Sequence, residues 1–374
     1  MISLARATLA HEWRRYLAAV LAITFAGLLI VVQLALLLGL FGSVAVVVDR
    51  SGADLWIGFR NTQSVDLGRA LVRGSDALAW SHPGVDRVEG YTTAYGDLRR
   101  PDGVPVSVLL HAMDVSRAGL AFSGLLTQDE RALLREPNAI LIDAADMRKL
   151  GARVGTMVEI NGRRARIAGV IEGIRTVGGV NVLASFATAR YLAPDIADQI
   201  AFYLVRLKPG FDPLAVSAEI ADKARFPRYS VWTAPALSVQ SQAYWLLESG
   251  SGIGSGFASL LALVVGMVIT SQTLSGAILA SIKEFAALRA LGVSRKSLRA
   301  IVVEQSLWVG VSGLIVTGLL TLAIAWLGDT LRIAMRFPAW MLAGACVLLL
   351  AISMVSGLLA LRPLGRADPA ALLR

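Results

Sequence analysis

Side chains that could do chemistry are few and scattered along this chain. Its histidines are His11, His82 and His111, and its single cysteine is Cys346. A metal site needs clustered ligands at characteristic spacings, and a disulfide needs two cysteines. Neither pattern is present, and no G-x-S-x-G sequence marks a hydrolase nucleophile. We therefore predict no catalytic residues, no metal site and no enzymatic activity.

Two glycine-containing segments are candidates for a loop that binds phosphate groups. In Gly250–Gly256, a G-x-G-x-x-G pattern would need its third glycine at Ser255 or Phe257. Gly292–Ser297 lacks the second glycine of the ATP-binding P-loop, and no complete P-loop sequence occurs elsewhere. We expect no cofactor in this chain, and we interpret Gly250–Gly256 as a flexible joint or a close helix contact.

The composition indicates a membrane protein with a large water-facing part. Hydrophobic residues make up 55% of the 374 residues, only 17% are charged, and the mean hydropathy is +0.62. The net charge is +9, but the basic residues form no stripe with interleaved aromatic residues. They lie beside long apolar segments instead, so we expect no nucleic-acid partner.

Four apolar segments are long enough to cross a hydrocarbon core of about 30 Å. We predict spans at Leu17–Val48, Ile253–Ser281, Ile301–Leu327 and Pro338–Leu361. The first would be roughly 48 Å long, so it should tilt or continue as a stalk. Because Ser43-Val44-Ala45 faintly resembles a cleavage site, a cleaved signal peptide is the alternative. Its apolar region would be only about 7–15 residues, which argues against it.

Basic residues in the short loops predict that both termini are cytoplasmic. Residues 1–16, 282–300 and 362–374 hold three, five and three Lys or Arg residues, with one acidic residue in each segment. The chain then divides into residues 1–48 with helix 1, an extracytoplasmic domain at 49–250, and residues 251–374 with helices 2–4.

Short strands and helices are predicted between the first two spans. Two strand-helix-strand units flank an insert of about residues 128–197, which indicates one split α+β domain. The first unit is Asp54–Phe59, Leu67–Ala79 and Val85–Tyr95, followed by a strand at Val104–Met113. The second is Phe202–Lys208, Pro213–Ala224 and Tyr229–Thr233.

The insert itself is predicted to be a small β-rich lobe. Asn161-Gly162 between alternating apolar residues is a strong hairpin signal. Val177–Val180, with its paired glycines, indicates a loop. The remaining predicted elements are strands at Ala139–Ile142, Val158–Ile160 and Ala165–Ile171, and helices at Ala144–Leu150 and Phe186–Leu192.

The loop at about 282–299 combines an apolar edge with many basic residues. Phe285, Leu288 and Gly292 are spaced i, i+3, i+7, while Gly292 can end one helix and Ser294 can cap the next. These residues predict a compact helical elbow, two short helical segments joined by a turn. Its apolar edge leaves two interpretations open, an interfacial helix held by lipid head groups or a knob that docks on a partner protein.

Several motifs of this chain resemble the MacB/LolC/FtsX superfamily of ABC transporter permeases. Tyr244-Trp245 and the Ala367-Asp-Pro-Ala370 ending look most like DevC-type permeases. The other motifs are Lys283-Glu-Phe-Ala-Ala-Leu-Arg-Ala-Leu-Gly-Val-Ser294, Glu304-Gln-Ser-Leu307, Gly151-x-x-x-Gly155, Ile167-Ala-Gly-Val170 and Arg366-Ala-Asp-Pro-Ala-Ala-Leu-Leu373.

The resemblance implies a polytopic α-helical protein of the bacterial inner membrane, with four transmembrane helices and a large extracytoplasmic α+β domain between helices 1 and 2. It also implies a dimer, expected to be a homodimer, and a separate cytoplasmic ABC ATPase that binds ATP and Mg²⁺. It favours partner docking for the elbow and implies ATPase-coupling roles for Lys283, Glu284, Phe285, Leu288, Arg289, Leu291, Gly292 and Ser294.

By the same resemblance, the chain would export a hydrophobic or amphipathic compound together with a periplasmic membrane-fusion adaptor and an outer-membrane channel. Fold-level resemblance does not identify the cargo. The alternative is a mechanotransmitting protein of FtsX type, which activates an envelope hydrolase without moving cargo.

Overall fold

The computed structural model of the chain describes residues 11, 13–174, 179–196, 199–223, 228–280, 292–330, 333 and 335–360. It divides into two compact units. The helical unit comprises Met1–Gly39 and Gly254–Arg374, and the sheet unit comprises Leu40–Ile253.

The helices and strands of the described residues follow one another along the chain. The helices are α1 (Trp13–Gly42), α2 (Val46–Asp49), α3 (Asp76–Trp80), α4 (Gln128–Leu133), α5 (Met147–Leu150), α6 (Phe186–Leu192), α7 (Pro213–Lys223), α8 (Ala234–Ala243), α9 (Gly250–Ala280), α10 (Arg295–Thr330) and α11 (Ala339–Ala360). The strands are β1 (Leu55–Phe59), β2 (Val85–Arg99), β3 (Pro105–Met113), β4 (Ala139–Asp143), β5 (Met157–Ile160), β6 (Arg163–Ile171), β7 (Val180–Ser185), β8 (Phe202–Leu207) and β9 (Tyr229–Thr233).

Four of these helices, α1, α9, α10 and α11, are long and apolar enough to cross a membrane. The predicted layout of four spans is thereby confirmed. The first span is shorter than predicted, because α1 ends at Gly42 and a turn at residues 43–45 separates it from α2. The Ser43 hydroxyl donates to the Leu40 carbonyl at 2.6 Å, a side-chain bond that competes with continued helix. The prediction of one continuous helix over Leu17–Val48 is therefore wrong.

The first and second strand-helix-strand units form one antiparallel sheet in the order β2-β8-β1-β9. β8 lies between β1 and β2, and β1 lies between β8 and β9, which is the arrangement of a split βαβ domain. One face is covered by α3 and α7, whose buried Ala79, Val216 and Ile220 pack on Leu55 and Val205.

β2 has 15 residues and takes part in two sheets. Residues 85–91 pair with β8, and residues 92–99 pair with β3. From there the strands β2-β3-β7-β4-β6-β5 follow in order, and β5 pairs again with β2 at Leu98 and Arg99. The insert strands therefore close a six-stranded ring on the outer half of the β2-β3 hairpin.

The hairpin predicted at Asn161-Gly162 in the insert is confirmed. β5 and β6 form an antiparallel hairpin in which Asn161 and Gly162 have φ of +49° and +77°, the values that a type I′ turn requires. α6 has the predicted bounds. The helix expected at Ala144–Leu150 is shorter, since only Met147–Leu150 is helical.

Two features of the sheet unit differ from the sequence prediction. The amphipathic helix expected at Leu67–Ala79 is absent, because residues 68–75 are irregular and only Asp76–Trp80 is helical. Gly74 has φ of +82°, and the Leu71 amide donates to the Ile200 carbonyl at 2.7 Å instead of to its own segment. Strand β7 was not predicted, since Val177–Val180 was interpreted only as a loop; residues 175–178 lie outside the described part of the chain.

Candidate functional site

The cytoplasmic elbow predicted to couple to an ATPase is described only at its C-terminal end. Gly292 and Ser294 are among the described residues. The other predicted coupling residues, Lys283, Glu284, Phe285, Leu288, Arg289 and Leu291, lie outside them.

The described end of the elbow has the local geometry that the sequence indicates. Gly292 has φ of +91°, a left-handed conformation that glycine adopts without steric cost. The Ser294 hydroxyl oxygen accepts from the Ser297 amide at 3.2 Å, so Ser294 caps α10. The predicted cap is confirmed.

The residues that follow Gly292 are anchored to the N-terminal part of α1. Val293 packs against a buried apolar cluster that contains Leu298 and Val302 of α10 and Tyr16 and Ala19 of α1. Well-packed side chains move together rather than past one another. Val293 and the first turns of α10 are therefore packed together with α1.

The segment after α1 and the segment before α9 are joined to each other in the sheet unit. Val48 of α2 and Leu237 of α8 are buried in the same core. The Ser238 hydroxyl donates to the Asp49 carboxylate at 2.5 Å, and the Ser241 hydroxyl oxygen accepts from the Val65 amide at 3.0 Å. We call this contact between α2 and α8 the stalk clasp.

Beside the stalk clasp lies a cavity of about 120 Å³. Side chains alternate between the two faces of a strand, so Tyr91, Thr93 and Tyr95 of β2 share one face. On β3, His111 lies opposite Thr93 and Leu109 lies opposite Tyr95. The other face of these strands fills the ring with apolar residues such as Ala94 and Leu110. The outer face of the ring therefore forms the floor of the cavity.

The cavity walls come from five separate segments of the chain. Val44 and Val47 belong to the segment after α1, and Trp245 belongs to the segment before α9. Val65, Asp66, Phe122 and Ile174 also line the walls. Both segments that lead to spans thus line the same cavity.

A chain of hydrogen bonds crosses the cavity floor. The Asn181 amide donates to the Ile174 carbonyl, so its Oδ1 accepts from His111 Nε2 at 3.0 Å. Nδ1 of His111 then carries the lone pair and accepts from the Tyr91 hydroxyl at 2.6 Å. Every polar atom in this chain has a partner, and the chain fixes one tautomer of His111.

Burial keeps this network uncharged. Desolvation lowers the pKa of His111 from 6.5 to about 4, although its hydrogen bond to Asn181 opposes the shift. Burial also raises the pKa of the Tyr91 hydroxyl well above its usual value, and the negative charge of Asp66 raises it further. His111 and Tyr91 are therefore both neutral at physiological pH.

The sequence prediction did not bring these residues together. In the sequence, His111 is a candidate only for a metal ligand without matching partners, and Tyr91 and Asn181 have no predicted role. The signal available was a polar residue within an apolar strand, as in Val-Leu-Leu-His111-Ala-Met and Val-Asn181-Val-Leu. Among the described residues, no group of three or more His, Cys, Asp or Glu side chains could hold a metal ion.

Similarity to known families covers most of the chain. The family model for a MacB-like periplasmic core domain matches residues 16–223, and the model for the C-terminal part of FtsX-like permeases matches residues 256–369. Comparison with curated proteins gives no match.

Three solved structures are similar to this chain over about half its length. The periplasmic region of MacB from Actinobacillus actinomycetemcomitans is 14% identical, with 51% of this chain and 94% of that chain covered and a TM-score of 0.38. The extracellular domain of the noncanonic ABC-type transporter YknZ from Gram-positive bacteria is 12% identical, with coverage of 48% and 100% and a TM-score of 0.35. A domain of a putative permease from Porphyromonas gingivalis is 18% identical, with coverage of 49% and 90% and a TM-score of 0.33.

The core-domain model alone spans more than half of the 374 residues, and the permease model accounts for most of the remainder. These matches agree with four apolar helices that are interrupted, after the first, by a large α+β unit. The chain therefore belongs to the MacB/FtsX-type family of ABC permeases and is a multi-pass membrane component of an ABC-type system.

Proposed function

We propose that the chain is the permease subunit of an ATP-driven exporter that works by transmitting motion. A separate cytoplasmic ABC ATPase supplies the motion, and two copies of the chain form the working dimer. The cargo is a hydrophobic or amphipathic compound. A periplasmic adaptor and an outer-membrane channel carry it onward, as in DevC-type systems.

The stalk clasp is the observation that carries this proposal. α2 directly follows α1 and α8 leads to α9, so the clasp joins the ends of the first two spans within the sheet unit. Besides the Asp49–Ser238 bond, Gln240 donates to the Thr62 carbonyl at 2.7 Å and the Trp245 indole donates to Asp66 at 3.1 Å. Movement of either span would be passed to the sheet unit through these hydrogen bonds. A protein that only anchors the sheet unit in the membrane would not need such a link between two spans.

The cytoplasmic end supports the same mechanism. Val293 and Leu298 share one apolar cluster with Tyr16 of α1, which supports transmission of motion from the end of the elbow to α1. The excess of Lys and Arg in the short loops favours placing the elbow and both termini in the cytoplasm, where an ATPase can reach them.

Co-expression with its cognate ABC ATPase tests the proposal. Cells lacking the system are complemented with the chain and the ATPase, and their accumulation of a panel of hydrophobic fluorescent dyes and amphipathic compounds is measured. We expect accumulation to fall for at least one compound, and to be restored when an ATPase without its catalytic glutamate is used.

The outcome that favours the FtsX-type alternative is equally specific. Accumulation of every compound would be unchanged, while the activity of an envelope hydrolase would depend on the chain and on ATP hydrolysis. That result would overturn the export proposal and retain the transmission of motion.

A further inference from the structure

The cavity beside the stalk clasp has one charged wall. Asp66 is the only Asp, Glu, Lys or Arg residue among the described residues that line it. Its Oδ1 accepts hydrogen bonds from the Ser64 hydroxyl and the Trp245 indole. Oδ2 has no hydrogen bond and no ion pair with any described residue. Asp66 therefore brings to the cavity wall a carboxylate with one oxygen that no described residue uses.

Aromatic rings surround this carboxylate. Tyr91, Tyr95, Phe122 and Trp245 all line the cavity. The faces of aromatic rings carry negative charge density and attract cations, and a nearby carboxylate adds to that attraction. Burial raises the pKa of Tyr91 and of Tyr95, and the negative charge of Asp66 raises both further. An anionic ligand would be repelled here.

The polar floor does not compete for the ligand. Both ring nitrogens of His111 and the amide of Asn181 are used in the hydrogen-bond chain that starts at Tyr91. Neutral, satisfied groups offer no further strong acceptor or donor. The charged group of a ligand is therefore directed to Asp66, and its apolar part to Leu109, Val65 and Ile174.

The volume limits the size of the apolar part. An engineered apolar cavity of about 150 Å³ binds benzene. The present cavity, at about 120 Å³, has room for one aromatic ring or a short branched alkyl group. Tyr95 lines the cavity and is 61% exposed, so the space reaches the surface and a ligand can enter from solvent.

From this geometry we infer that the sheet unit binds a small organic cation, a monoamine that carries an aryl or branched alkyl group, between Asp66 and the aromatic walls of the cavity. Val47 of α2 and Trp245, which follows α8, touch the same space. A bound cation therefore contacts both segments that lead to spans. This site goes beyond the proposed export function and does not depend on it.

A charge series tests the site in the full-length chain, held in lipid nanodiscs. Calorimetric titrations use 3-phenylpropylamine, 3-phenylpropanol and 3-phenylpropanoate, which share one body and differ in charge, with empty nanodiscs as background. We expect the amine to bind about tenfold more tightly than the alcohol, and the carboxylate not to bind.

Two variants and one control make the result specific. Asp66→Asn keeps an acceptor for Ser64 and Trp245. It should lower the affinity for the amine to the affinity for the alcohol. Leu109→Phe fills the space and should weaken amine and alcohol alike, by tenfold or more. Asp222→Asn makes the same charge change on an exposed position of α7 and should leave the series unchanged.

Equal affinity for the amine and the alcohol in the wild-type chain would overturn the proposal. So would an amine preference that survives Asp66→Asn, or binding that survives Leu109→Phe in a variant with wild-type circular dichroism. Binding of the ATPase is measured on the same samples, so failure of the cation site is distinguishable from failure of the export proposal.

Discussion

Ser238 and Asp49 lie 189 positions apart in the chain and share a hydrogen bond of 2.5 Å between the Ser238 hydroxyl and the Asp49 carboxylate. Ser238 is buried, and its hydroxyl oxygen also accepts from Gln242 at 3.0 Å. The bond joins α2, which follows the first span, to α8, which leads to the second. A small polar contact thus lies where the proposed transmission of motion calls for a link between the spans.

Breaking this bond should weaken the coupling between the spans without unfolding the sheet unit. We expect Asp49→Ala with Ser238→Ala to reduce export per ATP hydrolysed by up to about fivefold, the equivalent of about 1 kcal/mol for one hydrogen bond. Transport and ATPase rates are measured together. Ser217→Ala removes a hydroxyl from α7 and serves as the control. Unchanged coupling in the double variant would show that the clasp does not transmit motion.

Phe285 provides the test of the predicted elbow. Phe285→Asp should leave the chain inserted but abolish ATPase binding, because burial of an unpaired charge in an apolar cleft costs several kcal/mol. Phe285→Leu keeps the apolar character and should retain binding. If the ATPase co-purifies with Phe285→Asp at normal yield and turnover, the assignment of the elbow as the ATPase-binding segment is wrong.

The sheet unit should fold when it is produced alone, because it contains its own cores and both strand-helix-strand units. Its boundary matters, since Val47 and Val48 precede the strands and are buried at 4% and 2% exposure. We expect a fragment of residues 43–248 to exceed residues 52–248 in free energy of unfolding by about 3 kcal/mol or more. Urea unfolding followed by circular dichroism measures both; equal stability would mean that α2 is not part of the core.

Acid should destabilise the sheet unit through His111. Its pKa is about 4 in the folded chain against 6.5 for an ordinary histidine, so the unfolded state binds the proton more tightly. The free energy of unfolding should fall as the pH decreases from about 6.5 to about 4, by up to about 3 kcal/mol. His111→Gln does not titrate and should remove this component. The contribution of Glu89, whose pKa is raised by burial, is common to both proteins and cancels in the comparison. Parallel pH profiles would contradict the prediction.

The insert should determine which adaptor is captured. Its strands β4–β7 complete the ring on β2 and β3, so a replacement of residues 128–197 must preserve the pairing of β7 with β3 and of β5 with β2. With the insert of a relative from another system, we expect adaptor capture to change while ATPase binding is retained. Exchange of residues 213–223 in α7 is the control. An unaffected adaptor, together with cargo cross-linked between the spans near Gln272 and Glu304, would favour a carrier mechanism through the membrane.

The sequence alone determined the features that depend on neighbouring residues. A span needs only a long apolar run, so four spans and their approximate bounds were readable. The hairpin at Asn161-Gly162 and the cap at Ser294 depend on local backbone preferences, and both are present. The strands of both strand-helix-strand units were also predictable, because their alternation of apolar residues repeats within a few positions.

Tertiary structure decided what depends on distant partners. The helix expected at Leu67–Ala79 does not form, because Leu71 bonds to Ile200 far along the chain and Gly74 adopts a positive φ. β7 has no alternating pattern, since both its faces are covered, and only its pairing with β3 and β4 defines it as a strand. The cavity floor needs the register that places His111 opposite Thr93 and beside Asn181, residues separated by up to 88 positions. No local propensity encodes such a register, because it is fixed by ring closure and by burial on both faces at once.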